Sequence, residues 1–319
     1  MSKSDFKFID LFAGIGGFHY ALKSVGGQCV MASEWENIPA QSYELNHKLK
    51  PLGDITEIDT KSIPSHDVIA AGFPCQAFSI SGKQNGFADP RGTLFFDIVR
   101  IAKFHSPKVL ILENVRNFAK HDGGKTLLTV KNTLEKIGYN FYSKLYNASD
   151  FGVPQSRERF IMVAIRKDLD AKNSFVFPMP SYKLISLADI LEKNVGAEYE
   201  VNRSDMVINY SKVSQVKVNA PVRIGSIAKG RQGERIYDSN GHSITLSAFG
   251  GGVGAKTGLY LVNGKVRKLT PRECARLQGF PDSFILPKSN NAAWQVFGNS
   301  VPIPIIKAVA EALITQKFI

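Results

Sequence analysis

The sequence predicts a doubly wound α/β fold, with a mostly parallel sheet and a smaller β-rich domain attached. Three observations carry this. Apolar runs of strand length alternate with helical patterns through the first half of the 319-residue chain, the arrangement that builds parallel sheets covered by helices. The alternation stops near Pro178, where glycines and short β-branched runs take over. Cations also concentrate beyond that point: residues 201–275 hold 12 Lys and Arg against 4 Asp and Glu, a surplus of 8 within a formal net charge of +12.

Taken in order, Phe6 to Phe12 reads as a buried strand and Gly17 to Val25 as a helix. Cys29 to Ala32 reads as a second strand, followed by a helix over Ile38 to Asn46. Val68 to Ala71, Val109 to Leu112 and Phe160 to Ile165 are further apolar runs of strand length. Helical period marks Leu94 to Lys103 and Thr126 to Ile137. From about Leu187 to Leu269 the pattern is irregular, with short runs such as Val216-Lys217-Val218 and Ser243-Ile244-Thr245-Leu246. Helical patterning returns at Pro271 to Gln278 and at Ile303 to Phe318, where Ile305, Ile306, Val309, Leu313 and Phe318 make one apolar face. The expected domains are therefore 1–186 with 271–319, in which 271–297 acts as a hinge, and an inserted 187–270.

Bulk properties exclude several classes. Hydrophobic content of 44% and charged content of 21% belong to a globular chain. No run approaches eighteen consecutive apolar residues, so no membrane span is expected. Met1 to Lys7 has no signal-peptide core, and Cys29, Cys75 and Cys274 are too few and too scattered for a disulfide framework or a zinc site. A reducing cytoplasm is the expected location. The basic surplus fits either a solvated face or a surface for a polyanion such as nucleic acid.

Several motifs sit where such a sheet places its chemistry. The first strand runs into Ala13-Gly14-Ile15-Gly16-Gly17, a turn that frees helix N–H groups to face a ligand or that serves packing alone. Glu34 follows the second strand at about the spacing of a ribose-binding acid. Asp54 is suited to an adenine amino group and Trp35 to the adenine face. Cys75, in Gly72-Phe73-Pro74-Cys75-Gln76, opens a small polar loop over Ser79 to Gly86 with Arg91 beyond it. That context favours a nucleophile beneath a lid over an inert core thiol. Glu113 directly follows an apolar strand, so burial should favour a protonated, hydrogen-bond-donating carboxyl, unless it is a surface ion pair. Arg157 and Arg159, two apart on an extended segment, should point the same way and pair over a carbonyl or phosphate, or else form surface salt bridges. Lys229 to Arg235 and Ser247 to Gly252 mix glycine with groups that read base edges, though either is also compatible with an ordinary flexible turn.

The order and wording of these motifs resemble the bacterial cytosine-C5 DNA methyltransferases. The likeness runs from Phe8-Ile9-Asp10-Leu11-Phe12-Ala13-Gly14 to Gly298-Asn299-Ser300-Val301. It includes Pro74-Cys75, Glu113-Asn114-Val115, Gln155-x-Arg157-x-Arg159 and Arg276-Leu277-Gln278-Gly279-Phe280-Pro281. The resemblance implies a Rossmann-like, S-adenosylmethionine-dependent methyltransferase fold with a DNA-recognition domain, acting on double-stranded DNA. It implies that Phe12, Ala13, Gly14, Gly16, Gly17, Glu34, Trp35, Asp54, Ile55, Pro74, Leu94, Asn299, Ser300 and Val301 serve the methyl donor. The catalytic set it implies is Cys75, Glu113, Arg157 and Arg159. The DNA-facing set is Ser79, Ser81, Lys83, Arg91, Gln232, Arg235, Thr245, Phe249, Gly250, Gly251 and Gly252.

Gln232-Gly233-Glu234-Arg235-Ile236-Tyr237 is similar to the recognition segment of a GCGC-type member of the family. This implies that Gln232 and Ser81 enter the duplex where the target base leaves, that Arg235 reads a guanine, and that the inner cytosine of GCGC is modified. Phe249 departs from that member, which carries a tyrosine there. The family also implies a monomer, a functionally paired restriction endonuclease and no metal. Two other readings stay open: a tRNA cytosine-C5 methyltransferase, and a DNA-binding homologue that has lost catalysis.

Overall fold

A computed structural model describes residues 5–73 and 90–319. The chain divides into two compact units, one of Met1–Tyr146, Glu158–Met179 and Ile305–Ile319, the other of Asn147–Arg157 and Pro180–Pro304.

The first unit is built on a six-stranded sheet. Its strands are β1 (Phe6–Leu11), β2 (Gly27–Ser33), β3 (Val68–Ala71), β4 (Val109–Val115), β5 (Tyr139–Asn147) and β6 (Glu158–Arg166), in the spatial order β2-β1-β3-β4-β6-β5. β1 pairs in parallel with β2 and β3, and β3 with β4, whereas β6 runs antiparallel to β4. The chain steps from β1 out to β2 and then returns to the far side of β1. The carboxyl ends of β1 and β3 are thus a topological switch point, where open α/β sheets bind ligands.

Helices α1 (Gly17–Ser24), α2 (Asn37–His47), α3 (Pro90–His105) and α4 (Lys125–Lys136) follow these strands. Ile9, Leu11, Ile69, Ala71, Leu110 and Leu112 share one core with Phe95, Ile98 and Ile101 of α3 and Val130 and Leu134 of α4. Phe8 points the other way, its ring meeting His19 of α1 edge-on at 5.7 Å between centroids. Because both faces are covered, the central strands are unbroken apolar runs, and Val68–Ala71 and Val109–Leu112 are wholly buried. Each large side chain so buried stabilises by about 1.5–3 kcal/mol.

The second unit holds β7 (Val207–Ile208), β8 (Arg223–Ser226), β9 (Arg235–Asp238), β10 (Leu259–Val262) and β11 (Lys265–Arg267), in the order β11-β10-β9-β8-β7. β9 and β10 are parallel and the other neighbours antiparallel. Ile224, Ile227, Ile236, Leu259, Leu261 and Val266 form its core. Helix α5 (Pro271–Gln278) carries the signals that made it legible: a Thr270–Glu273 capping box, Pro271 in the first turn, and Gly279 left-handed at φ 85. Helices α6 (Asn290–Asn299) and α7 (Ile303–Thr315) complete the chain.

Some expectations are corrected. Val216-Lys217-Val218 is irregular and Val216 lies in the open, while Ser243 makes an isolated bridge with Gln155 rather than a strand. Strand β5 and helix α6 are elements that the sequence pattern does not predict. Asn140, Ser143 and Lys144 interrupt the apolar alternation of β5, and α6 opens on two asparagines. The 26-residue stretch Asn290–Thr315 is apolar and long enough to cross a membrane. It is nonetheless two helices, interrupted between Asn299 and Ile303, that bury Val296, Phe297, Ile305, Ile306, Val309 and Leu313 within the protein.

Candidate active site

At the carboxyl end of β1 the chain turns through Phe12 to Gly16 into α1, with Phe12, Gly14 and Gly16 at φ 55, 56 and 85. Gly16 is the position with no room: a Cβ there would lie 2.0 Å from His47 Nε2. That nitrogen is 3.1 Å from the Ile15 carbonyl. A carbonyl only accepts, so Nε2 carries the proton and the ring anchors the turn from beneath. His47 stacks on His19 at 4.0 Å between centroids. Burial lowers the pKa of His19 to about 3 and that of His47 to about 4, so both rings are neutral near pH 7.

Glu34 closes the other side of the turn. Its Oε2 accepts from Gly14 N at 2.8 Å and its Oε1 from Glu36 N at 2.8 Å. Burial pushes its pKa up, and the two amides work against that. Ala13 N donates to Ser33 O at 2.9 Å, Leu52 N to Ala32 O at 2.9 Å, and Ser33 Oγ to Gly53 O at 2.8 Å. The loops after β1 and β2 and the segment before Asp54 are thereby laced together at the switch point. Asp54 caps a helical turn over Ile55–Glu57, accepting from Thr56 N at 2.9 Å. Ile55 is buried and Leu94 packs against the main core, whereas Trp35 is 71% exposed. An indole held in the open next to a part-buried carboxylate offers a face to a flat ring and an acceptor to hydroxyls. This donor set fits a nucleoside.

At the end of β4, Arg159 Nε donates to Glu113 Oε1 at 2.8 Å, and each side chain is 11% exposed. The antiparallel register of β4 and β6, with Val115 opposite Arg159, brings the two together. The donating carboxyl expected at Glu113 is met instead by a cation. Asn114 Nδ2 donates to the Phe73 carbonyl at 3.3 Å, fixing the backbone two residues before Cys75. Pro74, Cys75, Ser79, Ser81 and Lys83 lie outside the described residues, as does the side chain of Arg91. Burial pushes the Cys29 thiol up to about 12 and raises that of Cys274 as well, so neither is suited to act as a thiolate.

Arg157 does not join Arg159 over a shared anion. It is 1% exposed, and its guanidinium donates to the carbonyls of Leu246 at 3.0 Å, Gly298 at 2.9 Å and Ser300 at 2.7 Å. Burying a cation costs several kcal/mol unless it is met by dipoles or charge, and here three carbonyls meet it. Arg157 precedes β6, so strand alternation does not bind its direction to that of Arg159. Asn299 lies between the Gly298 and Ser300 carbonyls at the end of α6, and Val301 follows them.

The two glycine-bearing loops of the second unit come together. Gly254 N donates to Gly233 O at 2.8 Å, and a Cβ on Gly233 would meet Gly251 O at 2.9 Å. Gln232, Phe249, Gly250, Gly251 and Gly252 are exposed around that contact. Arg235 is half-buried, its Nε donating to Gly230 O at 3.2 Å, and Thr245 Oγ1 donates to Ser156 O at 2.6 Å.

Residues 6–315 match the family of C-5 cytosine-specific DNA methylases. The chain belongs to that family. The methylase is 52% identical to the type II methyltransferase M.HhaI of Haemophilus parahaemolyticus over 305 residues, 95% of this chain and 93% of that protein. It is 39% identical to the type II methyltransferase M.DsaV of Dactylococcopsis salina over 315 residues, 99% of this chain and 88% of that protein. Its fold matches the S. pombe Dnmt2 methyltransferase with a TM-score of 0.71 at 21% identity, over 97% of this chain and 99% of that one. The methylase is a DNA cytosine-C5 methyltransferase, and its methyl donor is S-adenosylmethionine.

Four structurally prominent side chains of the methylase carried no assigned role in the sequence. Asn114 and Gln155 lie inside motifs, but their motifs do not say which carbonyl or amide each will meet. Gln278 donates to Phe297 O at 2.7 Å from a wholly buried position. His47 lies 32 residues from its partner Ile15, beyond the reach of any local pattern.

Proposed function

We propose that the methylase extrudes cytosine from duplex DNA, attacks its C6 with Cys75, and delivers the methyl group to C5 of the inner cytosine in GCGC. A stacked base hides C6, so the cytosine must leave the helix, at a cost of a few kcal/mol. The Arg159–Glu113 pair at the end of β4 carries the reading, because it sets a carboxylate and a guanidinium side by side on the neighbour of β3, the strand that Cys75 follows in the sequence. Glu113 is suited to accept from the 4-amino group and, in its protonated form, to donate to N3, and Arg159 to donate to the O2 carbonyl. Thiolate addition at C6 forms a C–S bond and makes C5 enamine-like. Bound S-adenosylmethionine supplies the electrophilic methyl group. C5 attacks that methyl group and S-adenosylhomocysteine departs; water then takes the C5 proton, and the electron pair of the broken C–H bond expels Cys75 as thiolate, which divides one hard substitution into easier steps. The high thiol pKa values at Cys29 and Cys274 support Cys75 as the nucleophile.

Phe12, Gly14, Glu34, Trp35, Asp54, Ile55 and Leu94, with Asn299 to Val301, are read as the methyl-donor site. Residues 187–270 are read as the recognition domain, with 1–186 and 271–319 as the catalytic one. Gln232 fills the gap left by the flipped base and Arg235 reads guanine, supported by the joining of their loop to residues 251–254. We take the methylase to be a cytoplasmic monomer working beside a cognate restriction endonuclease. Bisulfite sequencing of duplex DNA treated with the purified protein and S-adenosylmethionine tests the proposal. Protection is expected at the inner cytosine of GCGC. Protection in another context overturns the site, and labelling of tRNA but not duplex overturns the substrate.

A further inference from the structure

We infer that Gln155 and Arg157 are positioning residues that make the base of the 247–252 loop and the Gly298-Asn299-Ser300 segment move as one body. Duplex binding would then set the backbone that contacts the methyl donor. This rests on the roles proposed above for that loop and for Asn299.

Leu246 is held from both sides of its backbone. Its N–H donates to Gln155 Oε1 at 3.1 Å, and its carbonyl accepts from Arg157 Nη1 at 3.0 Å. Arg157 Nη2 reaches the carbonyls of Gly298 at 2.9 Å and Ser300 at 2.7 Å. Gln155 Nε2 donates in turn to Leu277 O at 2.9 Å. Gln155 and Arg157 are 0% and 1% exposed, so water is poorly placed to replace a lost partner.

Gly298 brings the same two segments into backbone contact. A Cβ there would lie 2.4 Å from Ala248 N and 2.4 Å from the Ser247 carbonyl carbon. Directly beyond that contact the loop opens, with Phe249 exposed and Gly250 and Gly252 at positive φ. The loop is therefore fixed at its base.

A guanidinium is a planar fork whose donors keep a fixed spacing. Here it spans carbonyls from both segments, so sliding one past the other by an ångström strands a buried carbonyl. Concerted motion avoids that cost. A ligand that biases one segment must then change affinity at the other, and the effect is reciprocal.

The test titrates the full-length protein with S-adenosylhomocysteine, with and without a saturating GCGC duplex, in wild type, Arg157→Lys and Gly298→Ala. The lysine keeps the charge and loses the fork, while the alanine crowds Ser247 and Ala248 and leaves Arg157 intact. The duplex is expected to tighten S-adenosylhomocysteine binding at least about fivefold in wild type, and both variants to lose most of that factor. A merely structural role would lower the melting temperature and both affinities but leave the factor unchanged, which overturns the inference. A wild-type factor of one also overturns it. Hydrogen exchange needs no variant: duplex alone should slow exchange at residues 298–301 of wild type, and unaltered exchange contradicts the coupling. Failure of wild type to bind S-adenosylhomocysteine at all sinks the proposed function instead.

Discussion

Arg159 Nε donates to Glu113 Oε1 across 2.8 Å, joining β6 to the end of β4 where only 11% of either side chain meets solvent. Glu113→Gln keeps the shape and removes the charge. Breaking a buried pair from one side typically costs about 3–5 kcal/mol, and a positioned proton donor or acceptor contributes about 10²–10⁴ in rate. Single-turnover methyl transfer by the variant should fall at least a hundredfold, roughly the lower bound of that range, with a lower melting temperature. S-adenosylhomocysteine binding should stay close to wild type. Wild-type turnover would remove Glu113 from the chemistry.

Glu34 offers a second test. Its carboxylate already accepts from Gly14 and Glu36, so it is oriented before any nucleoside arrives. Glu34→Ala should weaken S-adenosylhomocysteine binding by about 10–100-fold, the worth of roughly 1.5–3 kcal/mol for hydrogen bonds to a charged group. Calorimetric titration measures this. An unchanged Kd would move the ribose elsewhere.

His47 makes stability depend on pH. Its folded pKa, about 4 against an ordinary 6.5, is lowered mainly by burial, then by Lys23, and partly offset by the bond to Ile15. As pH falls below 6.5, the unfolded chain takes a proton that the fold refuses, so stability drops until about pH 4. His19 acts in the same direction, and Asp10, whose carboxyl burial raises, acts in the opposite one. His47→Phe should therefore flatten the slope of unfolding free energy between pH 6.5 and 4, by up to about 1.4 kcal/mol per pH unit. Parallel urea-melt profiles for the two proteins would contradict this.

Gly16 faces the same ring. Alanine there meets His47 at 2.0 Å and must hold φ 85, the second alone costing about 1–2 kcal/mol. Gly16→Ala should destabilise, and it should cost less in a His47→Ala background, so the double mutant should be more stable than the sum of the singles predicts. Strict additivity in a double-mutant cycle would remove the clash.

Strands β1, β3 and β4 were legible because burial on both faces writes an unbroken apolar run into the chain. β7 spans two residues and β11 three, too few for any period to register. Glu34 was legible because its reach to Gly14 spans 20 residues of a regular strand–helix–strand unit. The fork of Arg157 was not, since its three carbonyls lie 89, 141 and 143 residues away. Alternation failed there because Arg157 stands outside the strand that orients Arg159.

The most direct test is to trap the protein on a duplex containing 5-fluorocytosine, in the presence of S-adenosylmethionine. With fluorine in place of the departing proton, the C–S adduct cannot resolve. Mass spectrometry of the digested complex should find the crosslink on Cys75. A crosslink on Cys29, Cys274 or any other side chain, or no covalent complex at all, would contradict the account.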